Sequence, residues 1–238
     1  MKTRLAIVFF LLVASFPRPS LAKTPELFRH LGNDVRETFT EWPAALLIGG
    51  AVIAGGLSLE DDTFQGPFRN GRHLGKADTV AKYAGEAYAI DGASLLVYGI
   101  GKLAHNEKVA LTGETLLEAL FFTEASVLGL KAAFRRERPD GGNYSFPSGH
   151  AARAFAVASV LETLHGPAAG IPAYLAAAFI SFTMLDMNVH HLSDLAFGAA
   201  MGSAFGFGTA LFHQREYKRL HIVPMAGGTY GMMASVSF

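Results

Sequence analysis

Cysteine is absent from the 238 residues. That excludes disulfides, zinc–thiolate centres, iron–sulfur clusters and a cysteine nucleophile. Charge is scarce as well: Asp, Glu, Lys and Arg make up 17% of the chain, and 20 basic residues balance 20 acidic ones. A broad basic surface for nucleic acid is therefore not on offer, although a local grip on a small anion is. Internal repeats, low-complexity tracts and linkers are also missing. What is abundant is apolar: 50% of the residues are hydrophobic, high for a soluble domain and incompatible with long disorder.

The amino terminus has the layout of an export signal. A basic start, Met1–Arg4, precedes an apolar run from Leu5 to Phe16, and Ser20-Leu21-Ala22 places small residues where a signal peptidase reads. The run is shorter than the ~20 residues a membrane span needs. Residues 1–22 are thus expected to be a signal peptide. Residues 23–212 are expected to form one helical domain, and 213–238 a tail, with the product sent across the inner membrane to the periplasm or cell envelope.

Apolar segments predict helices at Trp42–Leu59, Thr79–Leu103, Gly113–Arg135, Pro147–Gly166, Ile171–Leu185 and Ser193–Phe212, an all-α bundle of about six helices. Residues 63–78, rich in Gly and polar side chains, are expected to be a loop. In the tail, Ala226-Gly227-Gly228 between two short apolar runs suggests a β-hairpin. Pro43–Leu59, Gly166–Leu185 and Leu195–Phe212 are charge-free and of spanning length. Gly198, Gly202 and Gly206 form a stripe suited to close helix contact. Membrane association is the expectation, although a soluble core would explain the stripe nearly as well.

Three patches carry chemistry. Lys131 and Arg138 are two helical turns apart and could grip a dianion from one side; basic residues also simply favour a helix C-terminus. In Ser145-Phe-Pro-Ser148-Gly149-His150, Pro147 suits a first helical position. The free N–H groups that follow make an anion site, to which Ser148 adds a hydroxyl and Gly149 close approach; a plain N-cap with a solvent-facing histidine reads equally well. His190 and Asp194 share a helical face, and a carboxylate on one ring nitrogen frees the other as nucleophile or base. A surface pair or a metal pair remains open there, but a third and fourth ligand are not evident. Taken together, cations, a helix start, two histidines and a carboxylate are the parts of phosphoryl transfer through a phosphohistidine. Chemistry of that kind needs no metal or other cofactor.

The run K-x6-R-P (Lys131 to Pro139), P-S-G-H (Pro147 to His150) and H-x3-D (His190 to Asp194) resembles the type 2 phosphatidic acid phosphatase family, the PAP2/vanadium haloperoxidase superfamily. The resemblance implies that His190 attacks phosphorus, Asp194 orients it and His150 protonates the leaving oxygen. It also implies that Lys131, Arg138, Ser148 and the Gly149 amide bind phosphate oxygens. The expected activity is a metal-independent phosphatase acting on a phosphomonoester or pyrophosphate, with a phosphorylated lipid or small phosphoester as substrate. One position departs from the pattern. The family's third motif reads S-R-x5-H-x3-D, and Thr183 and Met184 stand where Ser and Arg are expected. Arg153, one turn after His150, is the leading substitute, with Arg135 and Arg136 also near Lys131. Loss of the arginine leaves room for a phospholipid-binding pseudoenzyme, and the superfamily also contains vanadium-dependent haloperoxidases.

Overall fold

The computed structural model describes residues 31–40, 42–69, 73–219, 222–224 and 232–234. The expected signal peptide lies outside them. The described residues form nine α-helices: α1 (Leu31–Thr40), α2 (Pro43–Leu57), α3 (Asp61–Gln65), α4 (Lys76–Ala84), α5 (Ala87–Leu103), α6 (Glu107–Phe134), α7 (Gly149–His165), α8 (Pro167–Asp186) and α9 (Leu192–Arg219). Ile222–Pro224 and Met232–Ala234 pair antiparallel with Val223 opposite Met233; the glycine-containing turn expected between them is outside the described residues.

Helix α7 is the centre. Ala151, Ala152, Ala156 and Ala158 are fully buried along it, so neighbouring backbones can come close. The stripe on α9 uses this. A Cβ on Gly198 would sit 2.6 Å from the Ser148 carbonyl oxygen, one on Gly202 would sit 1.9 Å from that of Ala152, and one on Gly206 would sit 2.5 Å from that of Ala156. The clash partners are backbone and cannot rotate away. Gly202→Ala is expected to push α7 and α9 apart and cost about 1–3 kcal/mol, as overpacking typically does, which thermal unfolding in detergent will read. Around this contact Val127, Ala152, Met201 and Phe205 form a buried cluster with Phe39, Leu47, Phe122, Leu130 and Phe197 packed on it.

Several expectations need correction. The segment 63–78 is not one loop: α3 and a 3₁₀ turn (Gly66–Phe68) occupy its start, and α4 begins at Lys76. These short helices are held by distant partners rather than by their own pattern. Gln65 Nε2 donates to Asn188 Oδ1 at 2.6 Å, and Asp186 accepts from the backbone N–H groups of His73 and Leu74. The helix expected over Thr79–Leu103 is broken at Gly85 and Glu86, where the chain turns extended before α5. Gly85 is pressed against His150 and Ile180, each 2.8 Å from where a Cβ would lie. Helix α6 starts earlier than expected, capped by Asn106, whose side chain accepts from the Val109 N–H. Finally, α9 continues past Phe212 to Arg219, and α1 was not foreseen.

Helix α8 and residues Leu192–Arg215 are long and apolar enough to cross a membrane. Gly32–Phe39 with Pro43–Leu57 would qualify as a further span if the pair, bent by 60°, is taken as one.

Candidate active site

The three patches meet. They converge where the C-terminus of α6, the segment 135–148, the start of α7 and the link from α8 to α9 come together. The Ser148 N–H donates to the Asp194 carbonyl at 3.1 Å, so the starts of α7 and α9 are joined backbone to backbone. Arg136 joins the first patch to the third: its Nη1 donates to Asp194 Oδ1 at 2.7 Å and to Ser193 Oγ, while Nη2 donates to Asp61 Oδ2 at 2.6 Å.

His190 is buried at 3% exposure. Its Nδ1 faces Ser145 Oγ at 3.4 Å and Asp194 Oδ2 at 3.7 Å. Ser145 donates to that same Asp194 oxygen, which also accepts from the His191 N–H. Asp194 is therefore fixed from every side, and Ser145 stands beside both it and the histidine. Burial holds the His190 pKa below its usual value, and Lys131 and Arg138 push the same way against the pull of Asp194. The shift favours the neutral imidazole, the form a nucleophile needs. With Nδ1 turned to the serine and carboxylate, Nε2 carries the free lone pair.

The helix start differs in one detail from expectation. Ser148, not Pro147, is the N-cap, and Gly149 is the first helical residue. Ser148 Oγ accepts from the Ala151 N–H at 3.4 Å, and its proton is still available to an anion. His150 stands in the first turn with Nε2 3.7 Å from Glu86 Oε1 and no hydrogen bond on that nitrogen. Burial, then Arg153 and His190, push its pKa down to about 3.

The cations are crowded. Lys131 Nζ donates to the Tyr144 carbonyl. Burial and the neighbouring Arg138 lower its pKa to about 8. Arg138 Nε is buried with no hydrogen-bond partner. Together these groups leave positive potential and unspent donors, which is what a bound dianion removes. Because kcat/KM reports the free enzyme and the ammonium is charged only below its pKa, kcat/KM for a phosphoester is expected to fall as pH rises through about 8. Lys131→Arg should move that limb to higher pH, because a guanidinium stays protonated; a pH–rate profile of both proteins checks this.

Arg153 lies in the same place. Its Nη1 is 3.1 Å from the position of a Cβ on Gly149, so the guanidinium rests directly on the first residue of α7. Nη1 also donates to Glu124 Oε1 at 2.7 Å and Nε to the Gly85 carbonyl. By contrast Met184 is buried with Ala151, Leu185 and Leu195 in an apolar cluster, and Thr183 Oγ1 donates to the Ile180 carbonyl. Of the other candidates, Arg135 is exposed and bonds the Ala132 carbonyl, and Arg136 is taken up by Asp194 and Asp61. Only Arg153 of the three touches the helix start. Missed by sequence reasoning were Ser145 as a bridge and the Asp61–Arg136–Ser193 clamp. Ser145 stood in the quoted motif; Asp61, far away in the chain, gave no local signal.

A family model described as the PAP2 superfamily matches residues 133–218. The Lipid A 1-phosphatase of Porphyromonas gingivalis is 39% identical over 80 residues, 32% of this chain. That match spans only 18% of the relative's length. Among solved structures, the first transmembrane PAP2 type phosphatidylglycerolphosphate phosphatase from Bacillus subtilis aligns with a TM-score of 0.63 and 19% identity, covering 73% of this chain and 96% of its own. Aquifex aeolicus LpxE aligns with a TM-score of 0.52 and 25% identity, covering 65% of this chain and 93% of its own.

Proposed function

We propose that this chain, in which residues 133–218 match a family model described as the PAP2 superfamily, is a member of that superfamily and a membrane-associated phosphatase that removes phosphate from a phosphorylated lipid by way of a phosphohistidine. The observation that carries the reading is the nearness of His190, Asp194, the start of α7 and the Lys131–Arg138 pair, among which Arg138 Nε and His150 Nε2 are buried nitrogens without a hydrogen bond. The likeness to the Lipid A 1-phosphatase over 80 residues supports a lipid substrate.

In the proposed reaction, His190 Nε2 attacks phosphorus as the bond to the leaving oxygen breaks, and His150 gives that oxygen its proton. Arrival of the dianion raises the His150 pKa from its low resting value, because the negative charge favours the imidazolium. Lys131, Arg138, Ser148, the Gly149 N–H and Arg153 hold the three equatorial oxygens. His150 then takes a proton from water, the water oxygen bonds phosphorus, the P–N bond breaks, and phosphate leaves with His190 neutral again. Residues 1–22 would deliver this domain across the inner membrane.

The test is phosphate release by the purified chain in detergent from phosphatidate, phosphatidylglycerol phosphate, a polyprenyl pyrophosphate, lipid A and a soluble aryl phosphate. At least one lipid should be hydrolysed, and orthovanadate should inhibit. Binding without release would replace the enzyme with a phospholipid-binding protein, the reading favoured by Met184. Vanadate-dependent halide oxidation would replace it with a haloperoxidase.

A further inference from the structure

A second polar cluster lies away from the phosphate site and takes no part in it. Asp34 on α1, Glu118 on α6 and His213 on α9 are all buried, at 0%, 0% and 3% exposure. One ligand atom from each lies within 4.8 Å of the others. Glu118 precedes Lys131 on the same helix by 13 residues, which at 1.5 Å per residue separates the clusters by ~20 Å.

Within the trio two carboxylates face one imidazole. His213 Nε2 meets Glu118 Oε2 at 2.6 Å and Asp34 Oδ1 only at 3.8 Å. Both Asp34 oxygens and Glu118 Oε1 are buried without a hydrogen bond. Glu114 and Glu37 add negative potential at Asp34, although Glu37 is itself paired with Arg215 at 2.8 Å. One imidazolium can neutralise one carboxylate at most, and a second buried carboxylate without a partner is costly. A divalent cation would balance both carboxylates while the imidazole coordinates in its neutral form.

We propose that Asp34, Glu118 and His213 form a binding site for a divalent transition-metal ion, zinc foremost. An imidazole with two carboxylates suits zinc and its first-row neighbours better than magnesium or calcium, which prefer all-oxygen shells. Binding releases the protons that otherwise occupy these groups. Because each ligand comes from a different helix, the ion clamps α1 onto α6 and α9. The role is structural, since the phosphate site is a long way off.

The full chain, freed of any affinity tag and stripped with EDTA, is titrated in detergent with zinc against a chromophoric chelator, and separately with cobalt(II). The expected result is one zinc per chain, a visible d–d spectrum with cobalt, and a rise in the thermal midpoint on adding zinc. Asp34→Asn and Glu118→Gln, which keep side-chain volume, should each weaken zinc binding at least tenfold and abolish the rise; circular dichroism confirms that they fold. Phosphate release measured with and without zinc separates this result from the fate of the phosphatase reading. Parent protein that takes up no zinc, or variants that take it up as the parent does, would overturn the proposal. So would an Asp34→Asn chain that is more stable than a metal-free parent in which zinc has no effect, since the two carboxyls would then share a proton.

Discussion

Replacing His190 with alanine is expected to lower kcat for phosphate release by on the order of 10⁴-fold or more, the scale on which loss of a nucleophile acts. KM should move little, because the oxygens of the substrate are held by other groups. The parent chain, quenched with base during turnover of a phosphorus-labelled substrate, should carry acid-labile label, and the His190→Ala chain none. Since His190 is buried against Ser145 and Asp194, a cavity could destabilise the variant. His190→Asn, which refills part of the space with a polar side chain, is the companion. Near-parental turnover in both variants would move the nucleophile elsewhere.

Arg153→Ala is expected to cost about 10²–10³ in kcat/KM, the usual loss for one preorganised donor to a developing charge. The chain has an apolar Met184 where the family motif carries its second arginine, and Arg153 alone of the remaining candidates rests on Gly149. Arg153→Lys should recover only part of the loss, because an ammonium cannot reproduce the planar fork. The partner Glu124 is 24% exposed at its side chain, so water can solvate it when the guanidinium is removed, and the fold should survive. Unchanged kinetics in Arg153→Ala would show that the site works with Lys131 and Arg138 as its only fixed cations.

The segments that could be read from sequence were those whose apolar run outlasted any local interruption, such as α8 and the body of α9. Local reading failed where long-range contacts decide. Gly85 breaks a continuous apolar pattern because the ring of His150 and the side chain of Ile180 occupy the space a Cβ would take. Asp61 and Gln65 lie in a stretch rich in turn formers, yet Arg136, Ser193 and Asn188 hold them in a short helix. The site followed the same rule. Its motif residues stood out by their order and gaps, but the helical faces expected for them did not form, because α6 ends at Phe134, short of Arg138, and α9 begins at Leu192, after His190. Arg136 looked like one more cation beside Lys131. Its part in fixing Asp194 depends on a neighbour 58 positions away in the chain, a distance at which spacing carries no information.

The outer faces of α2, α5 and α8 expose Ile48, Val52, Leu95, Leu96, Ile171 and Leu175, each more than half accessible. Such a surface partitions into amphiphile aggregates, and a chain confined there would meet the proposed lipid substrate in two dimensions. Its rate should then follow the mole fraction of substrate in mixed micelles, not the bulk molarity. Adding inert detergent at constant lipid concentration should slow turnover by surface dilution alone.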